Sequence, residues 1–257
     1  MRLTVLGGSA AGTNTGAGCS GYLVDSGATR LVLDLGPGTL PELRRHADFR
    51  TLDGIVISHM HLDHILDLAA LRFVLAYNPI KPRCRLPLWL PPGSDEQLSR
   101  VAQAFAEPGA EDEFFSSVFE LNEYDPEDRL TLGDLNLTFL PTIHYVPCWA
   151  MRLDAVGGPS LGYTADTGPA TPLAPFFEGV DVLVSEATLL EPDDDPPDRR
   201  GHLTAGEAGS LARRVGAGTL VLSHIWEERG FDTLRAAAAT DFAGRLVVAH
   251  PGAVVEW

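Results

Sequence analysis

The stretch Gly54-Ile55-Val56-Ile57-Ser58-His59-Met60-His61-Leu62-Asp63-His64 decides how this chain is read. Its first half is a short β-branched apolar run, the composition of a strand buried on both faces. Its second half puts three histidines and an aspartate into six residues. In an extended exit from the sheet, side chains alternate, so His59 and His61 point the same way. Asp63 and His64 then sit at the start of the next helix. Two imidazoles on one side and a carboxylate–imidazole pair on the other could hold two cations side by side. A polar loop capped by Asp63 would account for Asp63 and for none of the histidines.

Similar apolar runs recur on both sides of this stretch. Residues 3–7, 21–27, 29–36, 86–93, 134–141, 149–155, 181–187, 218–224 and 245–250 read as strands, each followed by a turn residue or acid. Helical spacing covers 64–77 and 95–106, and a final helix is expected over 231–240. Thr204 and Glu207 have capping-box spacing at the head of a helix over 204–215, which ends before Gly216. The prolines and like charges of EPDDDPPD (191–198) make it a solvated loop. Strands and helices mix without repeats or a linker, which predicts one α/β domain over 1–257.

The 257 residues carry 19 Lys and Arg against 35 Asp and Glu, a formal net charge of −16. That balance argues against a broad basic face for a polynucleotide. It leaves room for small anions met by a local site or a metal. Hydrophobic residues at 45% and charged residues at 21% describe a globular chain, not a disordered tail. Cys19, Cys84 and Cys148 are scattered without a CxxC pair, which suits a reducing compartment. The opening residues lack the apolar core of a secretory leader, and no apolar run reaches membrane-spanning length. A cytoplasmic protein without a membrane partner is the expectation.

Three further metal-ligand residues stand where buried strands end. His144 follows LNLTFLPTI, Asp166 follows LGYTA and His224 follows TLVLS. All could converge on one sheet edge. With the HMHLDH stretch they form a His/Asp set without sulfur, suited to two divalent ions, zinc first, with manganese or iron as alternatives. Two such ions bridged by a carboxylate activate a water for hydrolysis.

At this point the sequence resembles the metallo-β-lactamase superfamily. HMHLDH, His144, the Asp166 of YTADTG and the His224 of LSH follow its ligand motifs in order, and the likeness runs from the N-terminal strand to VVAHPG. The resemblance implies a four-layer αββα sandwich with a dinuclear site at the sheet edges. His59, His61 and His144 would bind one metal, Asp63, His64 and His224 the other, and Asp166 would bridge them. A hydroxide between the metals would be the nucleophile, oriented or deprotonated by Asp63.

SEATLL and GHLTAGEA place Glu186 and His202 as on the ribonuclease Z and cyclic phosphodiesterase side of the superfamily. There an equivalent histidine acts on the phosphate oxygen or leaving group, and the glutamate orients it. Ribonuclease Z also carries a long tRNA-gripping arm between the third-motif histidine and the bridging aspartate. Here 21 residues separate His144 from Asp166, enough for two strands and a Gly157–Gly158 turn. The acidic 191–198 loop, expected at the pocket rim, would repel a polynucleotide. The expected activity is therefore hydrolysis of small phosphodiesters, cyclic or nucleotide-like. The alternatives are another ester class (lactone, thioester or sulfate ester), tRNA 3′-processing, or a non-catalytic accessory role in cofactor biosynthesis. The partner is a small anionic ester, with a homodimer as a further expectation.

Other residues read as structural. Asn14, Cys19 and Ser20 belong to a turn, His46 to the surface, and Trp89 and Trp149 to the core. Phe114, Phe115 and Phe119 read as core or a dimer contact. His250 is second to the ligands or structural, and Arg199 and Arg200 form a solvated pair.

Overall fold

A computed structural model describes residues 1–257. The first half contributes β1 (Arg2–Gly7), β2 (Gly21–Asp25), β3 (Arg30–Leu35), β4 (Gly54–Val56), β5 (Leu86–Leu90), β6 (Phe119–Glu123) and β7 (Leu130–Leu132). The second contributes β8 (Leu135–Pro141), β9 (Trp149–Ala155), β10 (Ser160–Tyr163), β11 (Val182–Glu186), β12 (Thr219–Ser223), β13 (Arg245–Val248) and β14 (Val254–Glu256). The helices are α1 (Thr39–His46), α2 (Leu62–Ile65), α3 (Asp67–Tyr77), α4 (Asp95–Phe105), α5 (Leu173–Phe176), α6 (Ala205–Val215) and α7 (Phe231–Ala239).

Two seven-stranded sheets result, ordered β14-β1-β2-β3-β4-β5-β6 and β13-β12-β11-β10-β9-β8-β7. Strand alternation sorts their side chains into layers. In β3, Leu31 and Leu33 join a cluster with Leu137, Met151, Leu161 and Val184 of the other sheet. Val32 points the opposite way, toward Leu43, Leu71 and Leu98 of the helices, and Leu35 joins it because the positive φ of Asp34 and the register shift there break the alternation. The second sheet does the same, turning Leu183, Leu220 and Leu222 toward Ala208, Leu211 and Leu234. The order is helices, sheet, sheet, helices: the expected four-layer αββα sandwich.

Parallel pairing explains where function can gather. The run β3-β4-β5-β6 is parallel, as is β10-β11-β12-β13. Parallel strands end at a common edge, where loops from non-adjacent segments meet. The two sheets are pinned together at that edge by a bridge between His59 and Cys148, with Trp149 N–H donating to Ser58 O over 3.2 Å.

The expected helix over 64–77 is interrupted: α2 and α3 meet at Leu66, where Ala69 N bonds Leu66 O, one residue short of the α-helical partner. The capping box of α6 is present, Thr204 Oγ1 accepting from Glu207 N and Glu207 Oε2 from Thr204 N. Phe114, Phe115 and Phe119 are core. Arg200 corrects the expected solvated pair: it is buried, because its guanidinium turns inward to Glu207, while Arg199 is exposed. No helix is long and apolar enough to cross a membrane.

Candidate metal centre

The loops at the common edge bring together all seven residues singled out as ligands. His59 leaves β4 after Ser58, and His61 takes the extended conformation before α2, whose first turn carries Asp63 and His64. Gly36 permits this placement, because a Cβ there would meet Asp63 O at 1.8 Å. His144 follows β8, Asp166 follows β10 and His224 follows β12. Three non-glycine residues have positive φ: Asp34 (56°), Ala165 (50°) and His224 (52°). Such backbone costs about 1–3 kcal/mol per residue and persists where surrounding structure enforces it. All three lie at strand ends facing this site.

Two groups of ligand atoms form. In one, His61 Nδ1 is 3.1 Å from both His59 Nε2 and His144 Nε2, and Asp166 Oδ2 is 3.7 and 3.6 Å from those two Nε2 atoms. In the other, His64 Nε2 is 3.4 Å from Asp63 Oδ2 and from Asp166 Oδ1. His224 Nε2 is 3.1 Å from Asp63 Oδ2 and 3.4 Å from Asp166 Oδ2. Asp166 belongs to both groups. Ligands about 2.0–2.1 Å from a tetrahedral zinc stand about 3.3 Å apart, so these separations fit metal coordination.

Two buried atoms make the same point. His64 Nε2 and Asp166 Oδ1 have no hydrogen-bond partner. Orphaned polar atoms at such depth are rare because desolvation is costly. A cation between them would satisfy both.

The far side of nearly every imidazole is fixed. Ser58 Oγ lies 3.0 Å from His59 Nδ1, Gly201 O accepts from His144 Nδ1 over 3.0 Å, and Thr188 Oγ1 lies 2.7 Å from His224 Nδ1. His64 Nδ1 meets Asp34 Oδ2 at 2.7 Å. The fully buried Asp34 carboxylate also accepts from Ser58 N, Ser58 Oγ and Tyr163 OH. Such partners fix the tautomer and aim the other nitrogen at a metal. Burial, with the neighbouring imidazoles, holds His59, His61 and His144 below the usual histidine range, in the neutral form that ligates. Burial also opposes charge on His64, but Asp166 and Asp34 outweigh it and raise that residue well above the usual value.

Asp34 and Thr188 were not singled out from the sequence. The signal for Asp34 was a carboxylate inside the apolar strand RLVLDL, and Thr188 stands within SEATLL itself. Asp34→Asn is expected to weaken metal affinity by about 10–100-fold, measured by competition with a chromogenic chelator. Unchanged affinity would remove it from the support of His64.

Glu186 and His202 lie together beside the ligands. Glu186 Oε1 and Oε2 are 3.1 and 3.2 Å from His202 Nδ1, and Thr167 N donates to Oε1 over 2.6 Å. Thr188 Oγ1 donates to Glu186 Oε2 over 2.7 Å, which leaves its oxygen to accept from His224 Nδ1. The His202 ring is 5.1 Å from that of His144 and 5.5 Å from that of His224, one member of each ligand group. Burial would lower the His202 pKa, but the Glu186 charge and hydrogen bond outweigh it and push it up to about 9. Glu186, His202 and His224 also cluster closely enough to hold an ion. However, His224 turns Nδ1 to Thr188 and Nε2 to the second group, which leaves Glu186 and His202 beside the ligand groups as a hydrogen-bonded carboxylate–imidazole pair.

No cysteine belongs to either ligand group. Cys148 donates to Asp166 O over 3.3 Å, and burial pushes Cys19 up to about 12 and Cys148 higher still. His46 pairs with Glu42 and His250 Nδ1 with Pro251 O, so both stay outside the centre. Asn14 ties its own turn to the segment after His224, its Nδ2 donating to Ile225 O and its Oδ1 accepting from Glu227 N.

Comparison with known proteins agrees with this fold. Residues 29–225 match the family described as the beta-lactamase superfamily domain. The chain is 33% identical to the probable metallo-hydrolase YhfI of Bacillus subtilis, with both chains covered completely. The crystal structure of that protein superposes with a TM-score of 0.85 over 99% of each chain. A ribonuclease Z of Halorubrum lacusprofundi is 27% identical, covering all of this chain and 97% of its own. A diphosphatase of the PhnP family shares the fold, with a TM-score of 0.76 at 21% identity over 100% of this chain and 97% of that one.

Proposed function

The chain belongs to the metallo-β-lactamase superfamily, and from that premise we propose that it is a two-metal phosphodiesterase acting on small phosphodiesters, cyclic or nucleotide-like. The carrying observation is the Glu186–His202 pair, set within 5.1–5.5 Å, ring to ring, of one histidine from each ligand group. Hydrolysis of a phosphodiester expels an alkoxide, which needs a proton as it leaves.

His59, His61, His144 and Asp166 would hold one divalent ion, and Asp63, His64, His224 and Asp166 the other, with zinc the first choice for this nitrogen-rich set. Such ions, when bound, neutralise phosphate charge and activate water. The chain supplies the rest. Burial opposes charge on Asp63, yet its contacts with His224 and His64 hold it below the usual carboxylate range, so it stays an acceptor that orients the attacking water. His202 donates Nδ1–H to Glu186 and presents Nε2–H to the leaving oxygen. Glu186 is fixed in turn by Thr167 N and Thr188 Oγ1.

Two features favour small substrates over tRNA. β9 and β10 are joined by a turn over 156–159, with no room for a gripping arm, and residues 191–199 are exposed and acidic. The test is a panel on the metal-loaded protein: a chromogenic phosphodiester, a 3′,5′-cyclic nucleotide, a lactone and a sulfate ester. Turnover of the two phosphodiesters supports the reading; turnover confined to the lactone or sulfate ester overturns it.

Glu186→Gln gives a second check. The glutamate charge is the largest influence raising His202, so its loss lets His202 deprotonate at lower pH. The alkaline limb of kcat should move toward acid by roughly one unit. A limb that stays in place would separate Glu186 from proton delivery.

A further inference from the structure

The depth of the ligands shows which way the centre opens. His59, His64, Asp166 and His224 are buried, whereas His61, His144 and His202 are only partly so. A substrate therefore arrives past the second set. Tyr145 stands on that side. Its ring is 5.2 Å from the His144 ring and 5.8 Å from the His202 ring, and the residue is 56% exposed.

Its position is built rather than incidental. The ring lies against Gly201, where a Cβ would meet Tyr145 Cε2 at 2.8 Å and Cζ at 2.9 Å. Gly201 O is the acceptor for His144 Nδ1 at 3.0 Å, so the backbone that seats the ring also aims a metal ligand. Tyr145 OH donates to Asp195 Oδ2 over 3.4 Å, which ties the ring to the acidic loop. Arg200, buried and paired with Glu207, anchors the end of that loop.

The charge around the ring narrows what can rest on it. Residues 191–199 are exposed and hold Glu191, Asp193, Asp194, Asp195 and Asp198 against a single Arg199. A second phosphate at this rim would meet five carboxylates and one guanidinium. A planar, uncharged ring system meets no such penalty and gains a stacking partner.

We propose that Tyr145 is the leaving-group platform of this site, stacking the nucleobase of a nucleoside phosphodiester while His202 faces the ester oxygen. The assignment rests on the phosphodiesterase reading and specifies its substrate class. A ribose separates a nucleobase from its ester oxygen, as the ring of Tyr145 stands off from that of His202. Removal of the base would leave the phosphate at the metals and the sugar against a bare aromatic face.

The experiment compares binding of AMP and ribose 5-phosphate to the metal-loaded protein by calorimetry, in wild type, Tyr145→Leu, Tyr145→Ala and Tyr145→Phe. Stacking of a base on an aromatic side chain predicts that wild type prefers AMP by about ten- to a hundredfold. The leucine and alanine variants should bind the two ligands within a few-fold of each other, and the phenylalanine variant should keep the preference. Two metal ions per chain in each variant show that the centre has folded. Equal binding of the two ligands by wild type, or a preference that survives in Tyr145→Leu, overturns the assignment. Absence of phosphodiester turnover with an intact AMP preference would instead overturn the catalytic reading and leave the platform standing.

Discussion

Asp166→Ala is expected to strip both metals and to lower hydrolysis by at least about a thousandfold. The reason is positional. One carboxylate serves both groups of nitrogens: Oδ2 faces His59, His144 and His224, and Oδ1 faces His64. Without it, the first group keeps three imidazoles and no anion, and the second loses one of its two carboxylates. Bringing two dications close together without the shared negative charge is a large electrostatic cost in a buried site. Asp166→Asn sharpens the test, because the amide keeps an oxygen but not the charge and should lose metal nearly as completely. Elemental analysis beside kcat/KM reads both effects. Retention of two ions and near-normal turnover in either variant would remove Asp166 from the centre.

His202→Ala should behave differently, keeping two metals and losing turnover. Proton donation by a positioned side chain contributes about 10²–10⁴-fold, and the loss should depend on the leaving group. An alkoxide leaving group needs the proton, so the full loss is expected with a cyclic nucleotide. A nitrophenolate leaves without one, so the loss with a nitrophenyl phosphodiester should be far smaller. A merely structural role for His202 would lower both substrates alike. Equal losses, or unchanged turnover of the cyclic nucleotide, would therefore contradict proton delivery by this residue.

Much of this centre was legible in the sequence because its chemistry is confined to few residue types. All seven ligand candidates are His or Asp; His59, His144, Asp166 and His224 directly follow apolar runs, His61, Asp63 and His64 come within five residues of the first of these, and a strand end is readable without knowing its partners. Asp34 and Thr188 were harder, since their value lies in what they touch: Asp34 meets His64 across 30 positions and Thr188 meets His224 across 36. Tyr145 was adjacent to a ligand, but only the approach of Gly201, 56 positions on, seats its ring.

The fold divides in the same way. Buried strands such as β11 and β12 are continuous apolar runs and were apparent. β6 was not, because in this edge strand Phe119 alone is buried while Glu120, Leu121, Asn122 and Glu123 are exposed or partly so, and β7 and β14 are three residues each. α1 escaped because Gly38 precedes it with positive φ and offers no capping side chain, while Pro41 in its first turn reads as a breaker although a first turn tolerates proline. Arg200 departs from the expected solvated pair because Glu207 has two oxygens to offer: Oε2 serves the cap and Oε1 the guanidinium.

The most direct test is a metal titration of the apo-protein with zinc or manganese, following hydrolysis of a phosphodiester. Activity should be absent without metal and should rise to a plateau at two equivalents per chain. Full activity in the chelated protein, or a plateau at one equivalent with no second ion bound, would contradict a two-metal phosphodiesterase.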